Sequence, residues 1–381
     1  MNGILTIVLL TVFVVLHELG HYISAKRSKV AVSEFFVGFG PRLFSFKRNK
    51  TEYGLKALLL GGYVKIPGMD ENDEAEGYNQ DELFHNAKWT QKLYIASSGI
   101  LINFAIAWII LFSIFVFHGI EQPTLQISSI GDSSVDATYD SPSKNAGLLE
   151  GDVIKTFNGQ EVESWEELVS QIQINGNNEV SVGYLRNGQL YLTTTVLEER
   201  LVGNTTSGYL GVSPTVELQR LNPFEAVIST TLIEIDMTLA AVDGIFTLFS
   251  PQNIQTLLGT YTGQEVPDEV RPLSPVGLAQ AGSQIAEGGY VNLFSLLAFV
   301  NIFLAVFNSI PLIPLDGGRI VLALIEGLTG KKVSDRKLYP VAAFVVFIFI
   351  FLGVTAFYLD ITQPIRLWKI EEKQLNFMLE M

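Results

Sequence analysis

Residues 2–23 read NGILTIVLLTVFVVLHELGHYI, an apolar run that ends in the motif His17-Glu18-Leu19-Gly20-His21. Residues four apart lie on the same face of a helix, so both imidazoles can reach one metal ion. Glu18 lies beside that site and can take a proton from metal-bound water, which is typical of a zinc protease. The alternative is two interfacial histidines at a helix end, but ionisable groups inside an apolar span are costly and usually functional.

The third zinc ligand has to come from elsewhere in the chain, because a catalytic site needs three protein ligands and one open position. The chain has no Cys and only four His. His85 lies in a polar loop and His118 at a predicted membrane edge, so neither is favoured. Asp316 is the better candidate, since it lies in FNSIPLIPLDGGRI (residues 307–320) and is the only acid in residues 288–325. The alternative for Asp316 is an ordinary turn residue at a helix end.

Polar and helix-breaking residues in the same apolar runs predict substrate contacts. Asn308 and Asn103 could hydrogen-bond a substrate carbonyl or the developing oxyanion. Either side chain could instead join two helices. Pro311 and Pro314 break the helix that precedes Asp316, and we expect both to lie at the substrate site.

The composition indicates a membrane protein. Only 17% of the residues are charged, whereas a soluble domain usually carries about a quarter. Roughly 20 apolar residues span the hydrocarbon core. The runs 93–120, 288–315 and 338–359 reach that length alone, whereas the first run, residues 2–16, reaches it only if the span continues through Ile23. The first run could be a signal peptide, but no basic residue precedes it and Lys26, Arg27 and Lys29 follow it.

The distribution of charge predicts the orientation. Residues 26–92 hold eleven Lys and Arg, and residues 319–337 hold five. Residues 121–287 hold only six, against 22 Asp and Glu. Because basic loops stay in the cytoplasm, we expect residues 121–287 and both termini to lie outside the cytoplasmic (inner) membrane of a cell. The net charge of −14 argues against a nucleic-acid partner.

The exported segment resembles a PDZ domain. A short strand ends in a turn at Asn158-Gly159, and two alternating strands flank a turn at Asn187-Gly188. Between the two turns, Ser164 with Glu167 predicts a capped helix. The stretch AGLLEGD, residues 146–152, carries most of the resemblance. Such a domain could bind an extended peptide by strand addition, or it could act only as a size filter or spacer.

A helical pattern follows the exported domain, over residues 222–249. Glu234, Asp236 and Asp243 interrupt its apolar face, so we expect an amphipathic helix on the outer face of the membrane and not a span. The alternative is a soluble helix packed on the PDZ-like domain.

The first cytoplasmic loop is predicted to form a β segment that dips into the membrane. Turns are expected at residues 38–41 and at Gly61-Gly62, and backbone at that depth must line a cavity or be packed in protein. An edge between residues 53 and 64 is the expected docking site for an unwound substrate strand. The residues expected to bind substrate there are Tyr53, Leu59, Gly61, Gly62 and Tyr63.

Together these motifs resemble the site-2 protease family of intramembrane zinc metalloproteases. The resemblance covers nearly the whole chain. It rests on His17-Glu18-x-x-His21, the Gly38-Phe39-Gly40 stretch, the Gly99 to Asn103 pattern, the "SPVG" stretch at residues 274–277 and the Asn308-x-x-Pro311-x-x-Pro314-Leu315-Asp316-Gly317 motif.

The resemblance implies a four-helix transmembrane zinc metalloprotease core with a membrane-associated β segment and one inserted extracytoplasmic PDZ (α+β) domain. It implies Zn²⁺ held by His17, His21 and Asp316, with Glu18 as the catalytic base. The implied partners are the lipid bilayer, single-span substrates such as anti-sigma factors or signal-peptide remnants trimmed beforehand, and a peptide ligand of the PDZ domain. A non-catalytic receptor that binds exported peptides and a zinc transporter are the alternative functions.

The predicted segments follow in chain order. They are the first span with HExxH (1–25), a cytoplasmic loop with membrane-associated hairpins (26–92), the second span (93–120), the PDZ domain (121–220), the amphipathic helix and connecting region (221–287), the third span with the LDG motif (288–318), a cytoplasmic loop (319–337), the fourth span (338–359) and an extracytoplasmic tail (360–381).

Overall fold

The computed structural model describes residues 2–69, 77–133, 140–202, 205–264, 266–267, 270–332 and 338–365. These residues form two compact units. One comprises the described chain up to Phe115 and from Asn222 to Ile365, and the other comprises the described residues of Val116–Leu221. Most of the predicted tail 360–381 and the end of the predicted loop 319–337 lie outside the described residues.

Helices dominate the first unit and strands the second. The helices are α1 (Asn2–Arg27), α2 (Trp89–Ser113, continued by a π-helical turn, Ile114–His118), α3 (Pro142–Asn145), α4 (Trp165–Ile174), α5 (Pro223–Leu248), α6 (Pro251–Gly259), α7 (Pro275–Ile285), α8 (Tyr290–Asn308), α9 (Asp316–Thr329) and α10 (Tyr339–Thr362). The strands are β1 (Glu34–Arg48), β2 (Thr51–Lys65), β3 (Ile120–Ile130), β4 (Val153–Phe157), β5 (Gln160–Glu161), β6 (Glu179–Arg186), β7 (Gln189–Val196), β8 (Glu198–Val202), β9 (Thr205–Tyr209) and β10 (Val212–Gln219).

Four helices of the described chain are long and apolar enough to cross a membrane: α1, α2 with its π-helical turn, α8 and α10. They coincide with the four predicted apolar runs. The third run does not form one helix, because α8 ends at Asn308 and α9 begins at Asp316, after Pro311 and Pro314. As a result, the predicted loop 319–337 begins as helix.

Helix α2 is the centre of the first unit and packs on α1, α8 and α9. Its contact with α1 is close because Gly20 has no side chain. A Cβ atom there would lie 2.8 Å from Ile102 Cδ1 and 2.9 Å from the Ser98 carbonyl oxygen. This approach brings the HExxH segment of α1 directly against α2.

Helix α5 is continuous and packs on α2 and α8. Ala241 of α5 is fully buried in a cluster with Ala107 of α2 and with Ala298 and Ile302 of α8. The placement of this helix on the outer face of the membrane stays a prediction.

Strands β1 and β2 form one hairpin beside α1. The chain reverses at Asn49 and Lys50, whose φ angles are 48° and 63°. Residues 34–37 are in register both with residues 52–55 and with residues 62–65, so the two long strands double over into four segments.

The turns predicted in this hairpin at residues 38–41 and at Gly61-Gly62 are bends within continuous strands. At the bends, Gly38 and Gly61 have φ angles of 87° and 98°, a region that favours glycine. A Cβ atom on Gly38 would also lie 2.5 Å from the Leu58 carbonyl oxygen. Glycine is therefore required where β1 folds over β2.

The second unit is a strand-rich domain with a sheet in the order β10-β3-β4-β6-β7, in which β5 also pairs with β4. Strands β8 and β9 form a separate hairpin. The core includes Ile154, Phe157, Leu168 and Val182, all fully buried.

The predicted local signals of this domain are found in the structure, with one change. Asn158 and Asn187 adopt positive φ at the predicted turns. The Ser164 hydroxyl accepts a hydrogen bond from the Glu167 N–H at 3.1 Å and caps α4. The Glu167 carboxylate, however, accepts from the N–H of Glu163 and not of Ser164, so the predicted reciprocal capping box is only half formed.

An ion pair between a buried carboxylate and a partly exposed arginine joins the AGLLEGD turn to β6. Arg186 Nε and Nη2 donate to the two carboxylate oxygens of Asp152, each at 2.8 Å, and Nη2 also donates to the Gly147 carbonyl oxygen. The Asp152 side chain is only 1% exposed. Burial alone would raise its pKa, but the hydrogen bonds from Arg186 and from the Leu149 N–H outweigh burial and hold the pKa below its usual value.

We predict that Arg186→Gln destabilises the second unit by about 2 kcal/mol at pH 7, because hydrogen bonds to a buried charged group are lost. Amide hydrogen exchange of β4 and β6 in the full chain measures this effect. The stability that Asp152 contributes is present at neutral pH and is lost as the pH falls through its lowered pKa, so the difference between variant and wild type should shrink in acid.

Lys155→Gln is the matched control for this prediction, because it removes one positive charge from β4 without breaking the pair and should change stability by no more than about 0.5 kcal/mol. Equal destabilisation by both variants would contradict a specific role for Arg186.

Candidate active site

Three ligand atoms from two helices converge in the first unit. His17 Nε2 and His21 Nε2 lie 3.2 Å apart. Asp316 Oδ2 lies 3.3 Å from His17 Nε2 and 3.1 Å from His21 Nε2. All three residues are buried, and within the described chain they are the one group of three His, Asp or Glu residues that could hold a metal ion.

The spacing of these atoms fits a zinc ion. With Zn–N and Zn–O bonds of about 2.05 Å, a tetrahedral site places its ligand atoms about 3.3 Å from one another. The observed separations of 3.1–3.3 Å match that value. Two imidazoles and one carboxylate are also a donor set that zinc accepts while keeping a fourth position open.

The other ring nitrogens decide how the imidazoles face the site. His21 Nδ1 lies 2.8 Å from the Ile95 carbonyl oxygen of α2, to which it donates. That bond places the proton on Nδ1 and leaves the Nε2 lone pair for a metal ion. His17 Nδ1 is buried and has no hydrogen-bond partner among the described residues.

Gly99 of α2 leaves the space that both imidazoles occupy. A Cβ atom at this position would lie 2.4 Å from His21 Nε2 and 2.7 Å from His17 Nε2. Real Cβ atoms do not approach other atoms so closely, so any side chain at position 99 would displace the two ligand atoms.

The break between α8 and α9 positions the third ligand. Gly317 and Gly318 pack against the loop that connects α8 to α9. A Cβ atom on Gly317 would come within 2.3 Å of the Ser309 carbonyl oxygen, and one on Gly318 within 2.7 Å of the Ile313 nitrogen. Because both residues lack side chains, the loop can fold back over the first turn of α9, which places Asp316 beside α1.

Glu18 is held by the β hairpin. Its Oε2 atom accepts a hydrogen bond from the Val64 backbone N–H of β2 at 3.0 Å. Glu18 lines the same cavity as the three ligands, which has a volume of about 350 Å³. One carboxylate oxygen is thus fixed, and the group stands beside the ligand triangle, as a proton acceptor requires.

The cavity contains several of the residues that the sequence predicts to bind substrate. Asn103 enters it from α2, Asn308 from the end of α8, Pro314 from the connecting loop and Tyr63 from β2. Asn103 is buried, and its Oδ1 atom has no hydrogen-bond partner within the described residues.

Other predicted residues do not line this cavity. Tyr53 lies at a separate cavity near the hairpin turn. The Leu59 carbonyl oxygen accepts a hydrogen bond from Thr11 Oγ1, and a Cβ atom on Gly61 or Gly62 would face Val14 or Val15 of α1. Pro311 lies in the connecting loop outside the cavity lining.

The cavity also includes residues that the sequence analysis did not identify. Helical spacing could have indicated three of them, because Val14 lies four residues before Glu18, Leu304 four before Asn308, and Arg319 three after Asp316. No local signal indicates Ile66 and Met69, which follow β2 and come to the site through tertiary packing.

Comparison with known proteins identifies relatives over the whole chain. The model of peptidase family M50 matches residues 5–353. The Regulator of sigma-W protease RasP of Bacillus subtilis is 27% identical over 419 residues, which cover 90% of this chain and 93% of that protein. Zinc metalloprotease Rip1 of Mycobacterium tuberculosis is 29% identical over 397 residues, which cover 93% and 96%.

Among solved structures, a PDZ domain of an SdrC-like protein from Listeria monocytogenes covers 25% of this chain and 92% of its own, at 16% identity and a TM-score of 0.20.

We predict that Gly99→Ala abolishes stoichiometric zinc binding, because its Cβ atom and the two imidazoles cannot occupy the same space. Zinc content of the purified full chain, measured by plasma mass spectrometry, should fall at least tenfold. Gly353→Ala is the control, since a Cβ atom there meets nothing within 4 Å. Full zinc occupancy in Gly99→Ala would show that the ligand geometry is wrong.

Proposed function

This chain belongs to peptidase family M50, the site-2 protease family, and from that premise we propose that it is an intramembrane zinc endopeptidase that cleaves single-span membrane proteins. The observation that carries the proposal is the ligand triangle of His17, His21 and Asp316 with Glu18 beside it. His17 lies ten residues before Arg27, so the site is about 15 Å along α1 from its basic end. That is roughly half the thickness of the hydrocarbon core.

His17, His21 and Asp316 would hold the zinc ion. Zinc bound there would supply a water molecule of lowered pKa and a positive charge that polarises the scissile carbonyl group. The Ile95 carbonyl oxygen keeps His21 in the tautomer that the site needs. Gly99 keeps the space clear for both rings.

Glu18 transfers a proton from the attacking water to the leaving amine. Its fixed Oε2 atom on the Val64 N–H orients the carboxylate, and the other oxygen accepts the proton of the attacking water. The same group then donates that proton to the leaving amine, so one residue acts first as base and then as acid. Water is needed at this depth, and the cavity of about 350 Å³ has room for water and an extended backbone segment.

Asn308 is positioned to stabilise the charge that develops on the carbonyl oxygen. It lies at the last residue of α8, at the mouth of the break that leads to Asp316, and it lines the cavity. A side-chain amide there donates a hydrogen bond to the oxyanion in a water-poor site, where such a bond is strong.

The substrate strand binds along residues 62–65 of β2. One edge of this segment pairs with residues 34–37 of β1. The Val64 N–H points the other way, to Glu18, and Tyr63 and Val64 line the cavity. Because the Val64 N–H is already donated to Glu18, a substrate helix that unwinds adds as a strand at this edge through its other backbone groups, with its peptide bonds facing the ligand triangle.

The substrates are proposed to be anti-sigma factors or signal-peptide remnants that a first protease has trimmed. The name of the Bacillus subtilis relative, Regulator of sigma-W protease, supports the first class. The second unit is proposed to be an extracytoplasmic PDZ domain that binds the trimmed end or excludes untrimmed proteins, in a chain that crosses the cytoplasmic membrane four times. Its AGLLEGD turn, fixed by Asp152 and Arg186, supports this assignment.

We predict that Glu18→Gln lowers the rate of cleavage of a single-span substrate by 100-fold or more, because the proton acceptor is lost. Zinc content should be unchanged, since Glu18 is not a ligand. His17→Ala is the contrasting variant and should lose both zinc and cleavage. Wild-type cleavage by zinc-loaded Glu18→Gln would overturn the role of Glu18.

We predict that Asn308→Leu lowers kcat by about 100-fold with little change in KM, because an oxyanion donor acts mainly in the transition state. Asn301→Leu is the matched control on the same helix, seven residues earlier. Asn301 is fully buried, and neither polar atom of its side chain has a partner within the described chain. Cleavage assays that show the same loss in both variants would assign Asn308 to helix packing.

A further inference from the structure

A second cavity, separate from the active site, lies where the basic end of α1 meets the turn of the β1-β2 hairpin. Its volume is about 430 Å³, within the range of small-ligand sites. Its lining comes from two elements: Tyr22 and Lys26 of α1, and Phe46, Arg48, Asn49 and Tyr53 of the hairpin. Within the described part of the chain, no acidic side chain lines it.

The two cations of this cavity are available to an anion. Among the described residues, the Arg48 side chain has no hydrogen bond or ion pair, and Lys26 Nζ donates only to Thr51 Oγ1, at 2.9 Å. The nearby acid Glu52 is already held by Arg42 Nη1 at 2.5 Å and by Ser45 Oγ at 2.7 Å. A second acid, Glu82, is close enough to Lys26 for electrostatic attraction but is itself paired with Lys50 Nζ at 2.9 Å, so among the described residues neither cation of the cavity has an ion-pair partner.

The two tyrosines add a hydrogen-bond donor. The Tyr22 and Tyr53 hydroxyl groups lie 2.6 Å apart, so one donates to the other. The accepting hydroxyl keeps its own proton, which can be donated to a further acceptor. A lysine, an arginine and a free phenol proton in one cavity form a donor set suited to phosphate oxygens.

The depth of the cavity can be measured along α1. The hairpin runs beside this helix, and three hydrogen bonds join them. The Leu59 carbonyl oxygen accepts from Thr11 Oγ1 at 2.8 Å, the Val64 N–H donates to Glu18, and the Tyr53 hydroxyl bonds to the Tyr22 hydroxyl. Lys26 is fifteen residues beyond Thr11, or about 22 Å further along the helix. The cavity thus lies at the end of a membrane span, at the level of lipid headgroups, while residues near Leu59 reach the acyl chains.

Exposed apolar side chains of the hairpin extend from the depth of the lipid headgroups towards that of the acyl chains. Phe46 lines the cavity, stacks on Tyr53 with ring centres 5.4 Å apart and is still 52% exposed. The same hairpin exposes other large apolar side chains further from the turn: Leu43, Phe44, Leu55, Leu58 and Leu59. A molecule with an anionic head and apolar tails can contact both parts, whereas a free phosphate ion can use only the first.

We propose that this cavity binds the phosphate headgroup of an anionic phospholipid, with the acyl chains lying along the exposed apolar face of the hairpin. Lys26, Arg48 and the free tyrosine proton hold the phosphate oxygens. Bound lipid then links the end of α1 to the hairpin turn. The proposal does not depend on proteolysis, so it can be tested on catalytically inactive protein.

The experiment uses the full chain in detergent and counts bound lipids by native mass spectrometry during titration with dioleoyl-phosphatidylglycerol or dioleoyl-phosphatidylcholine. The wild type should bind one phosphatidylglycerol with at least tenfold preference over phosphatidylcholine. The double variant Lys26→Gln/Arg48→Gln should weaken that binding by about 10- to 30-fold, since it removes two charge-assisted hydrogen bonds to the phosphate oxygens. The double variant Tyr22→Phe/Tyr53→Phe, which removes both hydroxyl groups, should weaken it about three- to fivefold.

The matched control is Arg27→Gln/Lys47→Gln, which removes one Arg and one Lys from the adjacent positions, both exposed and outside the cavity lining. This control should keep wild-type binding. Equal loss in both double variants would mean general attraction to a basic surface and would overturn the proposal. Competition by millimolar inorganic phosphate against phosphatidylglycerol would assign the cavity to free phosphate and would also overturn it, as would tighter binding of an acidic peptide than of lipid.

Discussion

The architecture depends on one constraint: three polar ligand atoms must meet within 3.3 Å of one another in a buried site, although His21 and Asp316 are 295 residues apart in sequence. Two imidazoles and a carboxylate without a shared positive charge or proton would be costly to bury. Three features bring the ligand atoms together: the close packing of α1 on α2 at Gly20, the space left by Gly99, and the break between α8 and α9. The helices are thus arranged around the ligands and not only around an apolar core.

The site is complete within one of the two units. None of the described ligand or cavity residues comes from Val116–Leu221. The chain leaves the first unit after α2 and returns to it before α5, which packs on α2 and α8. An inserted domain between these two helices can therefore vary in sequence without altering the ligand geometry.

Much of this arrangement follows from the sequence, because it rests on local rules. The spacing of His17 and His21 places both on one helical face, and Asp316 is the only acid of its apolar run. Apolar length predicts the spans, and Pro311 and Pro314 predict the break before Asp316. The Asn-Gly turns of the second unit are equally local.

Other features could not be predicted, because they arise from contacts between distant segments. The hairpin doubles over so that residues 34–37 pair with two parts of β2, and no periodicity reports such pairing. Tyr53, which the sequence predicts to bind substrate, lies at the other cavity because of this folding. The role of Gly99 depends on the distance between α1 and α2, which a pattern of apolar residues does not specify.

The hydrogen bond between the Val64 N–H and Glu18 places almost no restriction on the residue type at position 64 of this enzyme. The orientation of the acid depends there on the path of the backbone and not on the identity of a side chain. Nineteen of the twenty amino acids carry the same N–H group at position 64, and only proline lacks it. Comparing residue types at this position would therefore reveal almost nothing of its importance. The bond requires only the shape of the strand, which many different sequences can preserve.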